Sequence, residues 1–302
     1  MLNALTVDVE EYFHATEVQN ALGANQWDVF PSRIEDQLWK TLQVLENKKV
    51  SATFLVLGWI AERYPKLVRA IAAAGHEIGC HSYAHQLVYD LTPTDFRADT
   101  LRAVKAIQDA CGVSPRIYRA PSYSITRSSL WALEILAECG FTHDSSIYPI
   151  SHDRYGIPGS DRRPHLVKTP SGSIFEVPVA TVALAKENVL PIGGGGYLRL
   201  LPYRYFSAGI RRANELENLP ACIYFHPWEL DPDLSLLPMG WIGRWRTYTG
   251  LSGMQRKIER LLDEFEFSTI SVAYPDNPVQ RAPELVRAAS GHKACAETGC
   301  GD

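Results

Sequence analysis

His81 and His85 stand four residues apart in the run Gly79-Cys80-His81-Ser82-Tyr83-Ala84-His85. Two imidazoles at that spacing share one face of a helical turn and can bind one divalent ion together. Asp8 and Glu10 stand two apart in Leu5-Thr6-Val7-Asp8-Val9-Glu10, so a regular strand turns both carboxylates to one side. Two like charges on one face repel; a cation relieves this, taking one acid as a ligand and leaving the other as a base. Two imidazoles and one carboxylate leave coordination positions open for water. On Zn²⁺ the pKa of such a water falls from about 15.7 to about 7.

Three further segments carry groups of the complementary kind. Arg119, in Arg116-Ile117-Tyr118-Arg119-Ala120-Pro121-Ser122-Tyr123, can pair with a carboxylate and keep it ionised. Pro121 stiffens the turn that follows, which can then offer a backbone N–H to an oxyanion. His226, in Tyr224-Phe225-His226-Pro227-Trp228-Glu229, leaves an apolar run and can serve as a general acid. Asp144 could accept its other ring N–H. Gly193-Gly194-Gly195-Gly196-Tyr197 lacks the Lys and Ser/Thr of a phosphate loop. Its glycines, Gly195 among them, allow close backbone approach to a ligand, and Tyr197 could stack on a sugar ring. Trp228, Trp241, Trp245 and Tyr248 make the C-terminal part rich in aromatics, and exposed members would suit a carbohydrate groove.

These residues need a scaffold, and apolar runs alternating with amphipathic segments supply one. Strands are expected at Leu5–Val9, Ala52–Leu57, Glu77–Cys80, Arg116–Arg119, Phe141–Asp144, Ile174–Val177, Ala221–Phe225 and Phe267–Val272. Helices are expected at Ile34–Asn47, Pro65–Ala74, Asp95–Ala110, Ser128–Cys139, Pro202–Leu216 and Gly253–Phe265. Such alternation implies a parallel sheet, and seven or eight units favour a barrel. In a βα barrel the active groups gather at the C-terminal strand ends, where Asp8, Glu10, His81, Arg119, Asp144 and His226 all fall. The polar stretch 151–170 reads as a long loop, and 277–302 as a poorly ordered tail.

The chain has 302 residues, 46% of them hydrophobic, and a net charge of −4. That is enough for a large core, and no basic block points to nucleic acid. No apolar run approaches the roughly 18 residues of a membrane span. No signal peptide is visible at Met1, which implies cytoplasmic action, at the inner membrane face if the substrate is lipid-linked. Four of the six cysteines (Cys80, Cys111, Cys139 and Cys222) read as reduced core residues, and Cys295 and Cys300 as free tail residues.

Taken together, the motifs resemble those of the polysaccharide deacetylases, carbohydrate esterase family 4, which share the nodulation-factor deacetylase homology domain. Thr6-Val7-Asp8-Val9-Glu10 is similar to the family's first motif and His81-Ser82-Tyr83-Ala84-His85 to its second. Arg119-Ala120-Pro121, Asp144-Ser145-Ser146 and Tyr224-Phe225-His226 are similar to the third, fourth and fifth. Leu190–Tyr203 and His226-Pro227-Trp228-Glu229 resemble the subgroup found with bacterial exopolysaccharide and exosortase loci.

The resemblance implies a distorted (β/α)7 TIM-like barrel over residues 1–276, with a subgroup-specific extension from about residue 190. It implies metal-dependent removal of acetyl groups from N-acetylated hexosamines in a bacterial polysaccharide or its precursor, with peripheral association to exopolysaccharide assembly machinery. It makes Glu10, His81 and His85 the ligands of a metal, Zn²⁺ first, with Co²⁺, Ni²⁺ and Mn²⁺ as alternatives. It makes Asp8 the base, though the family pattern of adjacent acids is broken by Val9 and the two roles could be exchanged. Ser122 is the expected oxyanion donor, with Tyr123 as the second choice because the family's usual aromatic comes one place late. The rival readings are an allantoinase- or imidase-like deacylase of another C–N bond, and an inactive polysaccharide-binding module on the same fold.

Overall fold

The seven residues Asn3–Val9 form β1, and all seven are buried. A strand buried on both faces belongs inside a parallel sheet covered by helices. In the computed structural model, which describes residues 1–15, 18–19, 27–152, 154–184 and 189–275, β1 lies within such a sheet. It pairs in parallel with β2 (Thr53–Val56), β10 (Cys222–Phe225) and the short β11 (Phe267–Ser268). From β2 the sheet continues through β3 (Glu77–Cys80), β4 (Ile117–Tyr118), β5 (His143–Asp144) and β7 (Gly172–Glu176), all parallel. β6 (His165–Thr169) closes the order as an antiparallel edge on β7, and β8 (Thr181–Ala183) and β9 (Val189–Pro191) form a separate pair.

This mostly parallel, helix-covered sheet is the (β/α)7 TIM-like class expected from the sequence, and its distortion lies between β7 and β10. No continuous ladder joins those strands among the described residues. Instead, Ala180 N donates to Cys222 O at 3.0 Å and Tyr224 N to Gly193 O at 2.7 Å. Irregular backbone on either side of the β8–β9 pair thus takes the place of a strand.

The helices fit their sequence signals. Pro65–Ala73 begins on its proline, and Pro93–Cys111 is capped by Thr92, whose hydroxyl accepts from Asp95 N at 3.2 Å. Ile34–Lys48 is capped from a distance: the buried Glu11 carboxylate accepts from the Arg33 and Ile34 amides and from the Ser32 hydroxyl. Because Glu11 lies two residues past the end of β1, that cap ties the helix to the mouth of the sheet.

Two expectations are corrected. The stretch 151–170 is not all loop, since His165–Thr169 pairs with β7 across the two-residue turn Pro170-Ser171. It is an edge strand of alternating burial, with polar residues facing out, and so lacks an apolar run. The last strand is shorter than Phe267–Val272: it ends at Ser268, and a helix spans Ile270–Ala273. Thr269 stops the strand by capping that helix, its hydroxyl accepting from Val272 N at 3.3 Å. Cys80 and Cys222 are buried free thiols, while Cys111 and Cys139 are half-buried. The expected tail 277–302, with Cys295 and Cys300, lies outside the described residues.

Candidate active site

The C-terminal ends of parallel strands β1, β3, β4, β5 and β10 point to one mouth, and the acids of β1 separate there. The strand ends at Val9, and Glu10 N turns back to Asp8 O at 3.1 Å. Glu10 therefore lies beyond the regular strand rather than in register with Asp8, and the two carboxylates take different partners. Asp8 Oδ1 accepts from Arg119 NH1 at 2.7 Å. The same nitrogen reaches Thr6 Oγ1 at 2.7 Å, Arg119 Nε reaches Ser145 O at 3.1 Å and NH2 reaches Ser145 Oγ at 2.9 Å. Arg119 is fully buried. Burial disfavours its cation, but the Asp8 charge outweighs that and holds the guanidinium protonated.

Glu10 meets the histidines. They lie on an irregular loop after β3, not on a helical turn, and Ser82 (φ 63°) and His85 (φ 50°) are left-handed. That loop is pinned by Asp99, whose carboxylate accepts from Tyr83 N at 2.8 Å and Ala84 N at 3.0 Å. His81 Nδ1 donates to Arg119 O at 2.8 Å, which turns Nε2 toward the site as an acceptor. Glu10 Oε2 lies 2.6 Å from His85 Nε2 and 3.9 Å from His81 Nε2. Neither approach is aligned as a hydrogen bond, and this oxygen is buried without a donor.

One donor atom each from Glu10, His81 and His85 falls within 4.8 Å of the others. Burial pushes His81 down to about 4, so its imidazole is neutral at neutral pH. Burial would raise the Glu10 carboxyl, but the His85 and His226 charges hold it far below the usual carboxylate range. A buried carboxylate and two imidazoles converging on a donorless oxygen fit a divalent cation of the zinc class.

His226 follows β10, and its Nε2 lies 3.4 Å from Glu10 Oε1. Its ring stacks on Trp228 with centroids 5.3 Å apart and planes 18° apart. Burial would lower its pKa, but the charges of Glu10 and Glu229, with Asp8, raise it to about 9. The partner of its Nδ1 is Glu229 Oε2 at 3.2 Å, not Asp144. Glu229 in turn accepts from Arg199 Nε at 2.6 Å. Although burial opposes it, the Arg199 and His226 charges lower the Glu229 carboxyl to about 2.

Asp144 has other work. It accepts from Ser146 Oγ at 2.6 Å, and Ser146 Oγ accepts from Ala120 N at 2.8 Å. Asp144 thus braces the turn Ala120–Tyr123, and burial raises both its carboxyl and that of the buried Glu176 above the usual range. In that turn Ser122 (φ 50°) and Tyr123 (φ 54°) are both left-handed. Tyr123 N donates to Ala120 O at 3.1 Å, so its amide is committed to the turn and does not serve an oxyanion.

The mouth is a cavity of about 580 Å³ lined by Asp8, Glu10, His81, His85, Ser122 and His226, with Tyr197, Trp228 and Trp245 around them. A larger hollow, about 900 Å³, lies beside the helix Ile34–Lys48 and contains none of these groups. Gly195 does not line the mouth. It begins the helix Gly195–Leu200, and a Cβ there would sit 2.0 Å from Glu229 Oε2. Gly195, expected from the sequence against a ligand, lies instead against a carboxylate. Arg199 and Glu229 carry no expectation from the sequence; the trace of Glu229 there is its place three residues after His226, which follows β10.

Two family models match the chain, and Asp8 and Glu10 precede both matched stretches. Residues 25–143 match the polysaccharide deacetylase model and residues 145–274 match a domain of unknown function, DUF3473. The chain thus carries a polysaccharide deacetylase domain followed by a DUF3473 domain. His81, His85 and Arg119 lie in the first matched stretch; Arg199, His226 and Glu229 lie in the second.

Among curated relatives, the peptidoglycan-N-acetylglucosamine deacetylase of Bacillus cereus is 33% identical over 96 residues, covering 32% of this chain and 35% of that protein. The chitooligosaccharide deacetylase of Sinorhizobium fredii is 37% identical over 119 residues, covering 39% of this chain and 54% of that protein. The chain thus spans between about a third and a half of these relatives. In fold it is similar to the crystal structure of a candidate polysaccharide deacetylase from Mycobacterium smegmatis, with a TM-score of 0.57, 20% identity, and coverage of 89% of this chain and 87% of that one. Among the described residues no helix is long and apolar enough to cross a membrane.

Proposed function

We propose that this protein is a metal-dependent hydrolase that removes acetyl groups from N-acetylated hexosamines in a bacterial exopolysaccharide or its precursor. The observation that supports the reading is that Asp8 and His226 line one cavity with Glu10, His81 and His85, His226 Nε2 lying 3.4 Å from Glu10 Oε1. Amide hydrolysis needs a base on the attacking water and an acid on the departing nitrogen. The names of the curated relatives, a peptidoglycan-N-acetylglucosamine deacetylase and a chitooligosaccharide deacetylase, support that substrate class.

A zinc ion held by Glu10, His81 and His85 would supply Lewis acidity toward the acyl oxygen and make a water acidic near neutral pH. Asp8, oriented by Arg119, takes the proton of the attacking water. His226 gives its Nε2 proton to the sugar nitrogen as the C–N bond breaks. The products are acetate and a free amino sugar. Ser122 lies at the mouth where its backbone can face the developing oxyanion.

The test is acetate release from acetylated chitooligosaccharide by the zinc-loaded protein. A chelator should abolish activity and added zinc restore it. Glu10→Ala and His81→Ala should lose at least ~100-fold in kcat/KM together with bound zinc. Full activity in either variant would sink the assignment.

A further inference from the structure

The C-terminal half of the chain builds a buried bracket around His226. We propose that Glu229 and Arg199 are positioning residues that hold the His226 ring with Nε2 facing the Glu10–His81–His85 cluster, and that Gly195 leaves the space Glu229 needs to do so. The inference rests on the reading of His226 as the acid of the reaction.

Glu229 grips His226 twice. Its Oε2 accepts from the His226 backbone N at 3.0 Å and from Nδ1 at 3.2 Å, so one carboxylate sets both the backbone entry and the ring rotation. A carboxylate acceptor at Nδ1 keeps the proton on that nitrogen. Trp228 covers a face of the ring. Glu229 is itself fixed through its other oxygen, which accepts from Arg199 Nε at 2.6 Å.

Arg199 is anchored in turn. NH1 donates to Thr247 O at 3.2 Å and Thr249 O at 2.7 Å, and NH2 donates to Arg246 O at 2.9 Å. These are carbonyls at the end of the helix Trp241–Tyr248, where backbone acceptors are unspent and a cation is favoured. The chain of support runs from that helix end to Arg199, Glu229 and the imidazole.

Magnitude argues that the bracket serves geometry. A buried ion pair is no more stabilising than apolar residues of similar volume, because desolvation cancels its attraction. Arg199 is 5% exposed and Glu229 fully buried, so the pair adds little that a hydrophobic pair would not. What it does add is direction. Gly195 shows how tightly the geometry is drawn: a methyl group there would force the Glu229 carboxylate to move by more than an ångström.

The variants are Glu229→Gln and Gly195→Ala, tested on two substrates. Acetylated chitooligosaccharide expels an amine that must be protonated, whereas 4-nitrophenyl acetate expels a phenolate that need not be. On the glycan both variants should lose about 100-fold in kcat with KM within about threefold, the cost of a misplaced catalytic group. On the aryl ester they should stay within about threefold of the parent. Equal losses on both substrates, or no loss on the glycan, would overturn the bracket. A parent protein inactive on the glycan would overturn the assigned function instead. Nitrogen-15 NMR of the histidines in the metal-free protein reads the bracket without turnover: at a pH high enough to leave the His226 ring neutral, the parent should show its remaining proton on Nδ1, and Glu229→Gln should mix the tautomers. An unchanged spectrum in Glu229→Gln would also refute the proposal.

Discussion

Arg119→Met isolates the Asp8–Arg119 pair. Methionine fills much of the arginine stem, so the cavity term is small and the charge decides the outcome. In the parent, Asp8 is 2% exposed and Arg119 fully buried, and Asp8 Oδ1 and Ser145 O both accept from the guanidinium. Thr6 and Ser145 keep other work, because their hydroxyls donate to Ile223 O and Val177 O. The variant therefore leaves one buried carboxylate and one carbonyl without their donor. Removing one partner of a buried pair costs about 3–5 kcal/mol. Asp8 borders the open cavity, where water can reach it, so the lower end, about 3 kcal/mol, is expected. At about 2–4 °C per kcal/mol for a large domain, the melting temperature should fall by about 6–12 °C. Adding Asp8→Asn removes the stranded charge, so Asp8→Asn/Arg119→Met should regain at least ~1.5 kcal/mol over Arg119→Met alone, a coupling of the size expected for residues in contact. Urea and thermal unfolding of the metal-free proteins measure both numbers. An Arg119→Met protein within about 1 kcal/mol of the parent, or a double variant less stable than the single, would refute the reasoning.

Two further perturbations test the framework around the site. Burial, and then the Asp144 charge, push the Glu176 carboxyl well above its usual range, so the folded state binds a proton that the unfolded chain releases. The stability this gives is complete below the unfolded carboxyl pKa and is lost as pH rises through the folded value. Glu176→Gln, which has no carboxyl to ionise, should hold its melting temperature better than the parent from pH 5 to pH 9; parallel curves would contradict the raised Glu176 carboxyl. Glu11→Ala removes the acceptor of the Arg33 and Ile34 amides and of the Ser32 hydroxyl. It should cost about 2 kcal/mol, the upper end for a lost helix cap, and speed hydrogen exchange at both amides. Unchanged exchange there would show that Glu11 does not cap the helix.

The strands that position the site were legible because they are buried on both faces and so read as continuous apolar runs. Glu77–Cys80 agrees with its expected bounds, and Leu5–Val9 and Ala52–Leu57 agree to within two residues. Where polar chemistry ends or edges an element, the pattern is silent. β6 alternates burial and carries Lys168 outward, and Thr169 spends its hydroxyl on Gly172 O at 3.1 Å. Thr269 looks like a strand residue by type, yet its hydroxyl starts a helix. The Arg199–Glu229 pair spans 30 residues and two irregular stretches, so no periodicity could have joined its members. Asp144 was legible as a strand-end acid, but its partner depended on which of two carboxylate-accepting arrangements the neighbouring backbone allowed. Ser146, two residues on, was close enough to take it first.

The three acids at the end of β1 show why residue type and position locate a site without assigning its roles. Asp8, Glu10 and Glu11 are all buried within four positions, and three anionic groups so close would repel strongly in an apolar interior. The backbone separates them. Asp8 is still in the strand and faces Arg119 across the sheet. The turn from Glu10 N to Asp8 O sends the next acid to His81 and His85. Glu11 opens the short 3₁₀ turn Tyr12–His14 and points away from the mouth, to the start of the helix Ile34–Lys48. Each carboxylate thus has its own surroundings: a guanidinium, an imidazole pair, and a helix N-terminus. The Asp8–Glu10 spacing suggested one shared face because a regular strand was assumed to continue. It is the end of that strand, one residue before Glu10, that lets one acid pair with an arginine while the other remains available to a cation.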